Sequence, residues 1–283
     1  MSPPVPRTTP ERAQPRIAPA SAHPQLDPAV QSFLDRWEEG AETLASGAPI
    51  PEIALIHPAS AEPALPLYLY LEVPCGRVED RTPALQALAD RAGVAVLRHT
   101  VPIGTDLRTT RAALHDTVQR IAADTEQLNA ERIAMGGDGL GAAVALALAA
   151  DSAPPHSPFC LLILATPILG APTDVPGTAW LPEERAAMLA ACAHPVAPGA
   201  NSLPPILILT AEADPFRDAA EALARRLMIQ GSEVSAVRTI GTIHDFTWLP
   251  PLRDAAGSLD AVRLMAGALR HRLHILQEES PTC

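Results

Sequence analysis

The stretch Glu131-Arg-Ile-Ala-Met-Gly-Gly-Asp-Gly-Leu-Gly141 leads from a short apolar run into a long segment rich in alanine and leucine. A short apolar run is typical of a buried strand, and the segment after it has the length and composition of a helix. The glycines between them let the backbone turn sharply, because glycine lacks the Cβ atom that restricts other residues. The sequence therefore predicts a strand, a tight turn and a helix in direct succession.

The same alternation extends over the chain from Ile53 onward. Short runs rich in leucine or β-branched residues alternate with longer segments of helical period, which indicates a parallel sheet covered by helices on both faces. The predicted strands cover residues 67–73, 94–99, 132–136, 159–165, 206–211 and 233–240. The predicted helices cover residues 82–92, 106–128, 140–150, 182–192, 216–230 and 258–276. We therefore expect an α/β protein with a mostly parallel, doubly wound sheet.

The N-terminal part of the chain differs from the rest in composition. Residues 1–25 contain many prolines among Ala, Arg and Thr, which predicts a disordered tail. Asp27 and Pro28 then suit the N-cap and the first position of a helix, and apolar residues follow at helical spacing. We expect a small cap helix within residues 26–50 and one core domain over residues 51–283.

The composition excludes several classes of partner. The formal net charge of -11 comes from dispersed acidic residues, which argues against nucleic-acid binding. No segment approaches the roughly 18 consecutive apolar residues of a membrane span, and the N-terminus lacks the apolar core of a signal peptide. The cysteines and histidines do not have the spacing of a metal or redox site. We expect a soluble cytoplasmic protein with no metal, no cofactor and no nucleic-acid or membrane partner.

The glycine-rich turn resembles a known catalytic motif. Gly137, Asp138 and Gly141 match the Gly-Asp-Ser-Ala-Gly sequence of hormone-sensitive-lipase-like esterases, in which a sharp turn between strand and helix holds the nucleophilic serine. The serine position of that motif is Gly139. The resemblance implies the α/β-hydrolase fold with a substituted nucleophile.

Two later motifs extend the resemblance to nearly the whole chain beyond the tail. Residues 210–218 resemble the family's acid motif, which places Asp214 at the position of the catalytic carboxylate. Residues 241–246 resemble its histidine motif and place His244 at the position of the catalytic base, although Asp245 replaces the usual glycine. The chain order of nucleophile, acid and histidine is that of α/β-hydrolases.

Three departures from the family argue against serine-esterase activity. Gly139 has no hydroxyl that a base could activate, so no acyl-enzyme can form there. Residues 71–76 stand where the family has its His-Gly-Gly-Gly oxyanion loop, and Pro74 lacks a backbone donor while Glu72 would repel negative charge. Residues 98–104 also differ from the family's usual segment after the next strand.

Other interpretations of these positions remain open. The glycine-rich turn needs no functional side chain if it only connects a strand to a helix. A shift of register would make Asp138 the nucleophile, although the bulky Leu140 would then fit the tight turn poorly. Asp214 also suits the N-cap of the next helix, and the two roles are compatible. His244 could lie in a surface loop, and Cys75 is better explained as a loop cysteine than as a nucleophile.

Two functions from different classes follow. In the first, a protein without serine-esterase activity binds a small, aliphatic or acyl ligand near Gly76, Asp138 and Leu140. In the second, a hydrolase, lyase or cyclase without an acyl intermediate uses His244, oriented by Asp214, as a general base. An apolar stripe near the C-terminus predicts either core packing or contact with a partner, for example in a homodimer. The stripe comprises Val262, Leu264, Met265, Leu269, Leu273 and Leu276.

Overall fold

The computed structural model describes residues 24–42, 51–59, 64–74, 80–124, 128–151, 159–173, 180–193 and 203–275. The strands in these ranges are β1 (Ile53–Ile56), β2 (Leu65–Glu72), β3 (Ala95–Thr100), β4 (Leu128–Asp138), β5 (Phe159–Ala165), β6 (Ile206–Ala213) and β7 (Val234–Ile243). They form one sheet in the order β1-β3-β2-β4-β5-β6-β7. All neighbouring strands are parallel except β1, which pairs antiparallel with β3 at one edge. The predicted doubly wound, mostly parallel sheet is therefore confirmed.

Helices cover both faces of this sheet. They are α1 (Pro28–Glu38), α2 (Thr82–Ala92), α3 (Leu107–Asp124), α4 (Gly139–Ala150), α5 (Glu183–Ala191), α6 (Arg217–Ile229) and α7 (Ala256–Arg270), the last followed by a π-helical turn at His271–Ile275. The apolar sides of α3, α4 and α6 form the core on one face. Those of α1, α2, α5 and α7 form the core on the other face. No helix in the described ranges is both long enough and apolar enough to cross a membrane.

The structure differs from the sequence prediction in one strand and at several element bounds, among them those of β4, which was predicted over residues 132–136 and spans Leu128–Asp138. Strand β1 was not predicted although its four residues are all apolar, because so short a run at the lateral edge of the sheet becomes a strand only through its pairing with β3. Helix α3 was predicted to continue to residue 128, but its described span is Leu107–Asp124 and Leu128 already belongs to β4. Leu128 pairs with Leu65 of β2, so the extended pairing decides the conformation there.

The predicted cap helix α1 lies next to the carboxyl end of β7. The Asp27 side chain accepts a hydrogen bond from the backbone N–H of Ala29 at 2.8 Å, as expected for an N-cap. The backbone N–H of Asp27 donates to the carbonyl of Gly241 at 2.9 Å. On the other side of α1, Phe33 and Trp37 pack against Trp180, with ring centroids 5.3–6.1 Å apart within this aromatic cluster. These contacts fix α1 next to the carboxyl ends of the parallel strands.

The apolar stripe near the C-terminus packs into the core. Val262, Met265, Leu269 and Leu273 are buried on α7 and the turn after it, whereas Leu264 is exposed. Leu276 lies outside the described residues. The stripe is therefore explained by packing within the chain, and it gives no support to a homodimer.

Candidate active site

Four of the residues singled out from the sequence lie at the carboxyl ends of parallel strands in the sheet. Glu72 ends β2, Asp138 ends β4, Asp214 follows β6 and His244 follows β7. Because these strands are parallel, their carboxyl ends lie at the same edge, which is where open α/β sheets place their functional sites.

The turn between β4 and α4 is packed too closely for side chains at two of its glycines. A Cβ atom on Gly137 would lie 2.4 Å from the backbone oxygen of Leu71, and one on Gly141 would lie 2.1 Å from the same oxygen. Both distances are far below a normal contact, and the neighbour is backbone that cannot rotate away. These two glycines therefore allow α4 to begin directly against the end of β2.

Gly139 has a different environment from the other two glycines. Its φ of +47° is in the left-handed region, which other residues rarely adopt. A Cβ atom there would meet Ile168 Cδ1 at 3.5 Å and His244 Nε2 at 3.8 Å, which are ordinary contacts. The position thus has room for a small side chain, which would be directed at the imidazole of His244.

Asp214 and His244 form a buried pair. His244 Nδ1 lies 2.9 Å from Asp214 Oδ2, and both side chains are almost completely buried. The other oxygen, Asp214 Oδ1, accepts a hydrogen bond from the backbone N–H of Phe216 at 2.9 Å, just before α6 begins. Asp214 therefore orients the imidazole and also caps the turn into the helix.

Asp245 contacts the opposite side of the same imidazole. Its Oδ1 atom lies 3.4 Å from His244 Nε2, the nitrogen that faces Gly139. Burial on its own would lower the pKa of His244, but the carboxylates of Asp214, Asp245 and Asp138 together raise that pKa to about 9. His244 is therefore mainly an imidazolium at neutral pH.

A largely buried arginine that the sequence analysis missed, Arg81, lies beside this pair. Arg81 Nη1 donates to Glu72 Oε1 at 2.7 Å, while its Nη2 and Nε lie 2.7 and 2.9 Å from Asp138 Oδ2. Glu72 also faces Arg98, at 3.8 Å between Oε2 and Nε. The signal that could have revealed this cluster is the presence of Glu72 and Arg98 in apolar strands, since buried charges require partners.

The ion pairs with Arg81 bear on two expectations from the sequence, that Glu72 would repel negative charge and that Asp138 is an alternative nucleophile. Burial raises the pKa of both carboxyl groups, although the positive charge of Arg81 opposes the shift in each case. Asp138 has φ of -123° in extended backbone, and its carboxylate is engaged by Arg81. Gly139, not Asp138, has the left-handed backbone conformation at the turn, where the nucleophile of such a turn stands. The geometry therefore gives no support to Asp138 as a nucleophile.

These groups surround a small cavity of about 40 Å³. Its lining combines apolar side chains with the charged groups of the site. It comprises Val73, Arg81, Asp138, Gly139, Leu140, Ile168, Trp180, Leu181, Arg185, Leu189, His244 and Asp245. Leu140, predicted to contact a ligand, thus borders the cavity, while Gly76 and Cys75 lie outside the described residues. The described ranges contain no group of three or more side chains suited to hold a metal ion.

The parallel sheet, its glycine turn and the acid–histidine pair at the carboxyl edge define an α/β-hydrolase fold. A sequence profile described as alpha/beta hydrolase fold matches residues 78–248, which is more than half of the chain. The chain therefore belongs to the alpha/beta hydrolase fold family. A viral protein named as an alpha/beta hydrolase, R526 of Acanthamoeba polyphaga mimivirus, is 50% identical over 50 residues, which are 18% of this chain and 14% of that protein.

Solved esterase structures share this fold. A thermostable esterase from Pseudomonas putida superposes with a TM-score of 0.74 at 19% identity, over 89% of this chain and 98% of that chain. Carboxyl esterase 2 from the fungus Tuber melanosporum superposes with a TM-score of 0.69 at 20% identity, over 88% of this chain and 100% of that chain. A hyperthermophilic esterase from the archaeon Pyrobaculum calidifontis superposes with a TM-score of 0.65 at 21% identity, over 86% of this chain and 90% of that chain. At these identities the likeness concerns the fold.

Proposed function

We propose that this chain is a hormone-sensitive-lipase-like protein without serine-esterase activity, in which Gly139 stands at the nucleophile position. The observation that carries the proposal is the direction of the missing side chain at Gly139, whose Cβ would lie 3.8 Å from His244 Nε2. A serine at this position would place its hydroxyl within reach of the imidazole that activates it. Glycine offers no hydroxyl, so the acyl-enzyme route is closed.

The proposed role is binding of a small ligand in the cavity beside Gly139. Val73, Leu140, Ile168 and Leu189 give this cavity an apolar side that suits a short acyl or aliphatic group. A cavity of about 40 Å³ among the described residues favours a small group over a long chain. The cap helix α1 lies next to this cavity, because its Trp37 packs against Trp180, which lines the cavity.

The alternative, an enzyme that uses His244 as a general base, is less well supported. A pKa of about 9 leaves only a small fraction of the imidazole neutral at pH 7. In addition, Asp245 lies at Nε2, the nitrogen that would accept the proton. If this alternative were correct, His244→Ala would abolish a turnover that the unmodified protein already shows.

We expect wild type to hydrolyse p-nitrophenyl acetate no faster than the buffer, and Gly139→Ser to gain activity at pH 9 to 10. The expected gain is on the order of 10³- to 10⁴-fold, because a triad nucleophile contributes about 10⁶-fold and a lost oxyanion donor costs about 10²- to 10³-fold. Alkaline pH is needed because His244 must lose its proton to act as a base.

Two controls make this comparison specific. Gly139→Ser combined with His244→Ala should return to background, because the new serine would have no base. Gly267→Ser changes a glycine of α7 with nothing within 4 Å of its Cβ position, so it should fold and remain inactive. Hydrolysis by wild type that His244→Ala abolishes would reject the proposal in favour of the general-base enzyme.

A further inference from the structure

We propose that Asp245 is a positioning residue that holds His244 in its cationic form and thereby keeps it from acting as a base at neutral pH. The activity test of this role rests on the proposed function, because it requires Gly139 to stand at the nucleophile position. Its geometric basis is the location of two carboxylates on opposite sides of one ring. Asp214 Oδ2 lies 2.9 Å from Nδ1, and Asp245 Oδ1 lies 3.4 Å from Nε2.

The backbone at Asp245 supports a specific role for this side chain. Its φ of +64° is in the left-handed region, which glycine adopts most readily and which aspartate and asparagine adopt more often than other residues but at some conformational cost. The residue also begins a tight turn, since its carbonyl accepts from the N–H of Trp248 at 2.8 Å and from that of Leu249 at 3.2 Å. An aspartate at such a position carries a conformational cost that glycine avoids, and here its carboxylate faces the imidazole.

The remaining charges around His244 do not replace Asp245. Asp214 lies on the Nδ1 side, and Asp138 at the end of β4 is already paired with Arg81. Arg81, which precedes α2, is itself held by Glu72 and Asp138. Arg185 of α5 lines the same cavity, and the ring of Phe216 packs beside the imidazole at 5.7 Å between centroids. Asp245 is therefore the carboxylate that contacts the nitrogen on the Gly139 side.

The direct test is an NMR titration of His244 in wild type, Asp245→Asn and Asp245→Gly, with His244→Gln used to assign the signal. Removing a carboxylate within 4 Å should lower the titration midpoint by about one pH unit or more. Asparagine and glycine both tolerate a left-handed backbone, so both variants should fold and show a similar shift. Asp254→Asn, at an exposed position next to Arg253, should leave the midpoint unchanged.

An activity measurement gives a second readout in the Gly139→Ser background. There, Asp245→Asn should lower the pH of half-maximal ester hydrolysis by the same amount as the midpoint of His244. An unchanged midpoint in both Asp245 variants would overturn the role of Asp245, whatever the activity. Absence of hydrolysis in every Gly139→Ser background would count against the proposed nucleophile position, while the titration would still decide the role of Asp245.

Discussion

Replacing Arg81 with leucine is expected to lower the free energy of unfolding by about 3–5 kcal/mol at pH 7. The side chain of Arg81 is 11% exposed and pairs with two carboxylates that are 6% and 4% exposed. Without the guanidinium, Glu72 and Asp138 would remain buried with no cation at hydrogen-bonding distance. Urea unfolding followed by circular dichroism measures the loss, with Arg253→Leu at an exposed pair as the matched control.

The pH dependence of this loss has a definite sign. Burial already raises the pKa of Glu72 and Asp138, and removing Arg81 raises both pKa values further in the folded state. The loss of unfolding free energy caused by Arg81→Leu is therefore largest where both carboxyl groups are ionised, and it shrinks as the pH falls and they become protonated in the folded variant. A triple variant, Arg81→Leu with Glu72→Gln and Asp138→Asn, should recover part of the stability. A loss below about 1 kcal/mol for Arg81→Leu would show that the cluster is not a buried ion-pair network.

Gly141→Ala is expected to destabilise the protein by about 3 kcal/mol or more, at the upper end of overpacking effects. Its new Cβ atom would lie 2.1 Å from the backbone oxygen of Leu71 and 2.8 Å from the carbonyl carbon. The clash can be relieved only if α4 moves away from the end of β2, which would also displace Gly139 from His244.

Gly267→Ala is the matched control for this prediction. Both glycines lie within helices, where alanine is intrinsically favoured by about 1 kcal/mol. A Cβ atom on Gly267 would meet nothing within 4 Å, so this variant should be stabilised by roughly that amount. If thermal unfolding showed similar changes for the two variants, close packing at the turn would not be the reason for Gly141.

Much of the fold was predictable because periodicity and cap residues are local signals. Strand β5 and helix α2 have the predicted bounds, and Asp27 caps α1 as expected. Strand β1 and the strand conformation of Leu128 were missed because they depend on pairing with other strands, which the local pattern does not encode. The positions of Gly139, Asp214 and His244 followed from motifs, and the structure brings them together at one edge of the sheet.

The electrostatic character of the site was not predictable in the same way. Arg81 has no local signature, and its partners Glu72 and Asp138 lie 9 and 57 residues away in the chain. Glu72 was expected to repel a developing oxyanion, whereas in the structure it is paired with Arg81. Asp245 contacts His244 because its backbone has a left-handed conformation. The sequence indicated only that aspartate replaces the usual glycine at this position.

The central claim, that Gly139 occupies the nucleophile position and leaves the protein without serine-esterase chemistry, is tested most directly by covalent labelling. Wild type and Gly139→Ser are treated with a fluorophosphonate ester at pH 9 and analysed by intact-protein mass spectrometry, with peptide mapping of any adduct. We predict no adduct on wild type and one adduct on Gly139→Ser, located at residue 139 and absent when His244→Ala is added. A stoichiometric adduct on wild type would contradict the account, because it would show that another residue already serves as the nucleophile.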